Sequence, residues 1–311
     1  HYGRIILKED NSVSEIVEEK DATENQRSVD LCNAGIYCGK SDVIFSLIGQ
    51  LKNENAASEL YLTDIVKIGN IKDLKTILVE CDEDETQGIN NRQDLAKAEF
   101  FFQEKLRKKF LESGVTLIDP KTIYFSYDTA IEADTTIHPN VIFGPSVKIE
   151  SGVDILPFSH LEGCTIAKGS KIGPFTRIRP KTNIEENVKV GNFVEIKNAH
   201  LKKYAKVNHL SYIGDASIGS QSNIGAGTIF CNYDGASKHF TEIGENAFVG
   251  SNSSLIAPIK IGSNTIIGSG SVITEDVPDG DLAIGRQKQK NKKGLGKKLM
   301  EKLNRIRKPS S

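Results

Sequence analysis

The chain has 311 residues, with 40 Lys and Arg against 41 Asp and Glu and a formal net charge of −1. That balance gives no global attraction to nucleic acid or an anionic membrane surface, and no apolar run approaches the ~18 residues of a membrane span. Neither nucleic-acid binding nor membrane insertion is expected. Five cysteines (Cys32, Cys38, Cys81, Cys164, Cys231), odd in number and without a CxxC pair, disfavour a disulfide framework or a zinc site and point to a reducing cytoplasm.

The length allows two domains. Nothing at the start has the form of a signal peptide. The chain opens on His1 and runs directly into strand-like residues, so further residues are expected ahead of it. Residues 4–7 and 15–18 alternate as a hairpin around the polar turn 8–12. Residues 31–37 read as a buried strand, 42–51 and 60–68 as helices, and 76–81 as a further strand. An acidic loop, 80–86, leads to Gly-Ile-Asn-Asn-Arg at Gly88. Residues 93–112 form a strong helix ended by Ser113 and Gly114. It reads as an arm between domains, its aromatic residues serving packing.

From 131 to 278 an aliphatic residue returns every six positions, as in Ile-Gly-Pro-Phe-Thr-Arg from Ile172, Val-Gly-Asn-Phe-Val-Glu from Val190 and Ile-Gly-Ser-Asn-Thr-Ile from Ile261. Neither a helix period of 3.6 nor a strand period of 2 gives that spacing. One hexapeptide cannot bury its large side chain alone. Three in succession close a triangular turn with the aliphatic residues inside, and stacked turns make a parallel β-helix. At about eighteen residues per turn and a strand spacing of about 4.8 Å, roughly seven or eight turns and a height of about 35 Å are expected. Three rungs are one residue short, at 161–165, 196–200 and 213–217. One excursion, 230–242, carries an aromatic residue, amide and acid groups, Lys238 and His239, and insertions in a solenoid map to surface loops. After Pro278 the rungs stop. Residues 287–308 turn strongly basic, which reads as a solvated tail or as an attraction for a polyphosphate ligand.

Several segments resemble a known family. They are Arg-Ile-Arg-Pro at Arg177, Val-Gly-Asn-Phe-Val-Glu-Ile-Lys at Val190, His-Leu-Ser-Tyr-Ile-Gly-Asp at His209, Asn-Ile-Gly-Ala-Gly-Thr at Asn223 and Cys-Asn-Tyr-Asp-Gly at Cys231. They are similar to the bacterial bifunctional enzymes in which glucosamine-1-phosphate acetyltransferase is fused to N-acetylglucosamine-1-phosphate uridylyltransferase, and the resemblance spans essentially the whole chain. It implies a left-handed parallel β-helix over 116–286 and a basic tail over 287–311. Ahead of the β-helix it implies a truncated α/β nucleotidyltransferase-like domain over 1–92 and a linker helix over 93–115. It also implies a homotrimer whose acetyl-transfer sites are shared between neighbouring prisms.

The chemistry implied is acetyl transfer from a thioester to a sugar amine. A base must hold the amine's proton, and an unperturbed imidazole titrates at about 6.5; His209 matches the family's base. Arg179, Lys197 and Lys238 match the positions that bind the phosphate and sugar of glucosamine-1-phosphate, with Tyr212 and Asn223 as further sugar contacts. Ala226, Asn232, Tyr233, Ser251, Ser269 and Arg286 match positions against acetyl-CoA. Main-chain N–H groups of the Gly-rich rungs are candidates to bond its pantetheine amides and to stabilise an oxyanion. In the first domain Gly3, Glu18 and Asn33 match uridine-nucleotide contacts, and Asn90 matches a ligand of the catalytic Mg2+. The family's Gly-rich phosphate loop, its Lys and the Asp that partners Asn90 fall ahead of His1. Phosphoryl transfer rests on those groups, so uridylyl transfer is expected to be lost here.

Two other readings stay open on the residues alone. One is a non-catalytic trimeric β-helix scaffold. The other is a metal hydratase on the same solenoid, which needs three converging histidines. His200 and His209 are out of phase with six-residue rungs, and His138 and His160 do not repair this.

Overall fold

The computed structural model describes residues 2–307. Two compact units divide between Phe101 and Phe102, inside a helix rather than at its end.

In the first unit, strands β1 (Arg4–Leu7) and β2 (Val13–Val17) pair as an antiparallel hairpin. Helices α1 (Glu24–Arg27), α2 (Ser41–Ile48) and α3 (Asp64–Ile71) follow. Ile5, Val13, Ile16, Leu47, Ile65 and Val66 form its small core. Both further strands expected here fail to form. Residues 31–33 meet β1 through an isolated Arg4–Cys32 bridge and the bonds Ile5 N–H to Leu31 O and Asn33 N–H to Gly3 O. The Asn33 carboxamide then accepts from Gly35 N–H at 3.1 Å, and Gly35 has φ +77°, which turns the chain away. Residues 76–81 keep one such bond, Val13 N–H to Thr76 O, and Ile77 and Val79 stand exposed. A strand needs a paired neighbour, and these segments have none along most of their length.

Helix α4 spans Arg92–Glu112. Its second half lies in the second unit, where it closes the first turn of a solenoid. Gln103 donates to Phe125 O and accepts from Phe125 N–H, Arg107 donates to Ile123 O at 3.0 Å, and Phe110 packs on Phe125 at 4.6 Å between centroids. An end turn leaves polar backbone and apolar side chains uncovered, and this helix covers them. Of the aromatic residues expected to pack, Phe110 does so, whereas Phe100 and Phe102 are largely exposed.

The solenoid is a left-handed parallel β-helix of about 9 turns. Its first face stacks Ile131, Ile149, Ile166, Ile184, Leu201, Ile218, Ile243 and Ile261. The second stacks Ile137, Ile155, Ile172, Val190, Val207, Ile224, Val249 and Ile267. The third runs Phe143, Leu161, Ile178, Ile196, Ile213, Phe230, Leu255 and Ile273. All these side chains are buried. There are more turns than the expected seven or eight because 116–117 and 282–283 pair onto the ends of the second face.

The short rungs change the corners. With one residue fewer, Gly163, Asn198 and Asp215 make the turn at φ +53°, +47° and +50°, each followed by a small buried residue, Cys164, Ala199 or Ala216. Burial pushes the Cys164 thiol up to about 12, so it is a filler rather than a nucleophile. At two of these rungs the strands Glu195–Leu201 and Tyr212–Ile218 run through the corner and join the first and third faces into one sheet. The excursion is narrower than 230–242, because Phe230 fills a third-face seat and Thr241 is already back in a strand. The basic tail is not structureless. Residues Leu295–Arg307 form helix α5, with Leu299, Met300 and Leu303 at helical spacing and exposed; Lys308 lies outside the described residues. No helix among the described residues is long and apolar enough to cross a membrane.

Each column depends on unbroken stacking, so truncating one member leaves a cavity that neighbouring turns cannot close. Ile172→Ala should lower stability by about 2–5 kcal/mol, read from urea midpoints.

Candidate active site

One corner of the prism carries a ladder of main-chain bonds between successive turns. Leu210 N–H donates to Asn192 O at 3.0 Å, Gly227 to His209 O at 3.3 Å, Asn252 to Ala226 O at 2.7 Å and Gly270 to Ser251 O at 2.8 Å. The ladder places Asn192, His209, Ala226, Ser251 and Ser269 one above another. A Cβ on Gly270 would lie 3.7 Å from Arg286 Cδ, which continues the line. His209 and four residues expected against acetyl-CoA thus share one edge. The N–H groups of Gly227, Asn252 and Gly270 are engaged in the ladder, so these three are not free donors for a ligand. At the exposed His209, Nδ1–H donates to Asn192 Oδ1 at 2.9 Å. An amide oxygen can only accept, so Nδ1 carries a proton, and in the neutral ring the lone pair is then on Nε2.

The third face, which begins just after this corner, gathers the cations. Arg179 pairs with Glu195 at 2.8 Å, both side chains about one third exposed. Such a pair adds little stability but fixes where the guanidinium points. The Lys197 ammonium is held below the usual lysine range, first by its contact with Lys238, then by the charges of Lys238 and Arg179 and by desolvation, while Asp215 opposes the shift. Arg179, Lys197 and Lys238 are therefore brought together. Asp215 is the buried counter-charge. It accepts from Asn198 at 2.6 Å and from Asn232 at 2.5 Å, stitching three turns at the short-rung corner. Tyr212 stands above Glu195 in register. A Cβ on Gly214 would meet the Tyr212 hydroxyl at 2.5 Å and Asn232 Nδ2 at 2.6 Å, so only glycine leaves both groups their places.

Two expected groupings are not formed within one prism. Asn223 stands on the second face beside Lys206, round the corner from the cations. Asn232 and Tyr233 lie at the far edge of the third face from the Ala226 edge, with the Tyr233 hydroxyl turned onto Gly235 O at 2.6 Å. Asn192, Glu195, Asn198 and Asp215 went unmarked in the sequence. For Asn198 and Asp215 the signal was available, since both sit at the turning position of five-residue rungs.

In the first unit Gly3, Glu18 and Asn33 do converge. A Cβ on Gly3 would lie 3.4 Å from Glu18 Oε1, and Asn33 N–H donates to Gly3 O at 2.8 Å. Glu18 accepts from Thr63 at 3.0 Å. Asn33 lines a cavity of about 790 Å³ with Tyr2, Ile77 and Val79. Asn90 has Asp94 as its neighbouring carboxylate, and one Asp94 oxygen already accepts from Asn90 N–H at 3.1 Å. Magnesium requires near-octahedral oxygen donors, and no group of three or more His, Cys, Asp or Glu among the described residues is arranged to hold a metal. Nor do the histidines converge, since His138 bonds Asp154 and His200 bonds Glu185.

The description "Bacterial transferase hexapeptide (six repeats)" matches residues 240–275. With the parallel β-helix, it defines a transferase of the hexapeptide-repeat class. Proteins named "Bifunctional protein GlmU" match over nearly the whole chain. The one from Jannaschia sp. (strain CCS1) is 49% identical over 98% of this chain and 67% of its own length. For Ruegeria sp. (strain TM1040) the figures are 52%, 97% and 67%, and for Wolbachia pipientis wMel 51%, 94% and 67%. The chain belongs to the bifunctional GlmU family and spans about two thirds of the length of these relatives.

Because Lys238 is the first cause of the depressed Lys197 pKa, Lys238→Ala should raise that pKa back toward the ordinary lysine value. An NMR titration of the lysine side chains would register the rise.

Proposed function

We propose that the chain transfers the acetyl group of acetyl-CoA to the amine of glucosamine-1-phosphate, giving N-acetylglucosamine-1-phosphate. One observation carries this reading. Three cations, Arg179, Lys197 and Lys238, gather on one face, where Glu195 pairs with Arg179 and the Asp215 charge acts on Lys197. His209, with Nε2 unpartnered among the described residues, stands on the adjoining corner. A phosphate seated among the cations relieves their mutual repulsion and fixes the sugar. Its amine then attacks the thioester carbonyl. The C–N bond forms, the C–S bond breaks, and His209 Nε2 takes the amine's proton and returns it to the departing sulfur. Asn192 keeps the imidazole in the tautomer this requires. The Ala226, Ser251, Ser269 and Arg286 edge is the proposed track for acetyl-CoA.

The site is proposed to be completed in a homotrimer. On the corner that carries His209, Phe158, Phe175 and Phe193 stack at 4.8 and 5.2 Å between centroids, each about half exposed. An apolar edge beside an open site suits a neighbouring prism. That neighbour would also bring Asn223 and Asn232, which one prism keeps apart from the rest, within reach of a shared ligand. We place the activity in the cytoplasm, in keeping with five free cysteines. Uridylyl transfer to N-acetylglucosamine-1-phosphate is proposed to be lost in this chain, where the Asp94 carboxylate beside Asn90 is already engaged by the Asn90 N–H.

The test is thiol release from acetyl-CoA, with and without glucosamine-1-phosphate, beside pyrophosphate release from UTP and N-acetylglucosamine-1-phosphate. Sugar-dependent thiol release without pyrophosphate is expected, and no thiol release at all would favour the scaffold. His209→Ala should lower kcat about 10²–10⁴-fold. Arg179→Ala should act chiefly on KM for the sugar phosphate.

A further inference from the structure

The excursion between Cys231 and Thr241 carries Lys238 out of the prism and back to the third face, and its own residues close it. Asp234 is the hub. Its Oδ1 accepts from the N–H groups of Ala236 at 2.8 Å and Ser237 at 2.6 Å, and its Oδ2 accepts from His239 Nε2 at 2.6 Å. The His239 bond is the largest of the causes that hold the Asp234 carboxyl well below the usual carboxylate range. The main chain closes in parallel, through the Tyr233–Lys238 bridge and His239 N–H to Asn232 O at 2.8 Å. Asn232 is in turn tied to the buried Asp215. His239 and Asp234 therefore flank Lys238 on a loop anchored to the corner that bears the counter-charge.

Lys238 needs such an anchor. Its ammonium is held beside Lys197, a like charge that favours swinging it into solvent, and a free loop of this length has ample conformational entropy to let it go. We propose that Asp234 and His239 form a clasp that presents Lys238 to the sugar phosphate, so that both are positioning residues for substrate binding. This rests on the reading that Arg179, Lys197 and Lys238 receive the phosphate. With the clasp shut, the ligand does not have to order the loop as it binds. The Asp234–His239 pair is part-exposed, with side chains 48% and 31% accessible. Its contribution to global stability is small, and its effect lies in where the ammonium points.

The test is calorimetric Kd for glucosamine-1-phosphate, with kcat and KM for acetyl-CoA, on the full chain and on Asp234→Ala, His239→Ala, His239→Gln, Lys238→Ala and the Asp234→Ala/Lys238→Ala double variant. Asp234→Ala and His239→Ala are each expected to weaken sugar-phosphate binding about tenfold, with kcat and acetyl-CoA KM within about twofold. His239→Gln, which keeps a donor, should recover most of the loss. In the Lys238→Ala background Asp234→Ala should add nothing, the signature of an effect that runs through Lys238. A full tenfold loss persisting in that background overturns the clasp, as does normal binding by the clasp variants when Lys238→Ala alone weakens it. If Lys238→Ala itself binds normally, both the clasp and the phosphate reading fall. Binding without turnover in the unsubstituted chain would sink the acetyl-transfer reading alone. Should Asp234→Ala misfold, His239→Ala carries the test, with faster amide exchange at Ala236 and Ser237 reporting that the loop has opened.

Discussion

Main-chain hydrogen bonds between successive turns are the constraint on which the second unit depends. They hold equivalent residues about one strand spacing apart, so any residue type repeated in phase becomes a column. Inside, the columns are aliphatic and supply a dry core. Outside, the same rule lines up side chains that are far apart in sequence. Asn192, His209, Ala226, Ser251 and Ser269 reach one edge because each occupies the same place in its rung. That edge is thus set by the stacked turns of the lattice, while Lys238 comes from the excursion loop.

Departures from that lattice are where charge is handled. A five-residue rung leaves its corner residue inturned and half enclosed, and at two successive turns this brings Asn198 and Asp215 into bonding distance. A carboxylate that is largely buried needs hydrogen bonds or a counter-ion. Asp215 has both, amides from above and below and the cations on the adjoining face. The Asp215 charge opposes the depression of the Lys197 pKa by its neighbouring cations.

The first unit shows what happens where no lattice exists. Its hairpin and helices enclose a handful of apolar residues, while Ile36, Ile77 and Val79 face outward beside an open cavity. Gly3, Glu18 and Asn33 keep their mutual contacts because those run through the first strand and its neighbouring segment. Asn90 stands on a loop where its N–H donates to the Asp94 carboxylate.

The six-residue period was enough to determine the β-helix, the identity of its buried residues, the short rungs and the long excursion, because each rung's fold depends only on its own spacing and on its neighbours. The residue types at His209, Arg179, Lys197 and Lys238 were legible too, through motifs. The boundaries of the first unit were not: 31–37 and 76–81 have strand composition, but a strand exists only where a partner pairs with it. Tertiary structure alone decided that the histidine tautomer is set by Asn192, that Asp215 is the buried counter-charge, and that Asn223 lies round a corner from the cations. Those relations join residues about one turn apart in sequence through contacts across turns, and spacing along the chain carries no record of which side chains face each other across them.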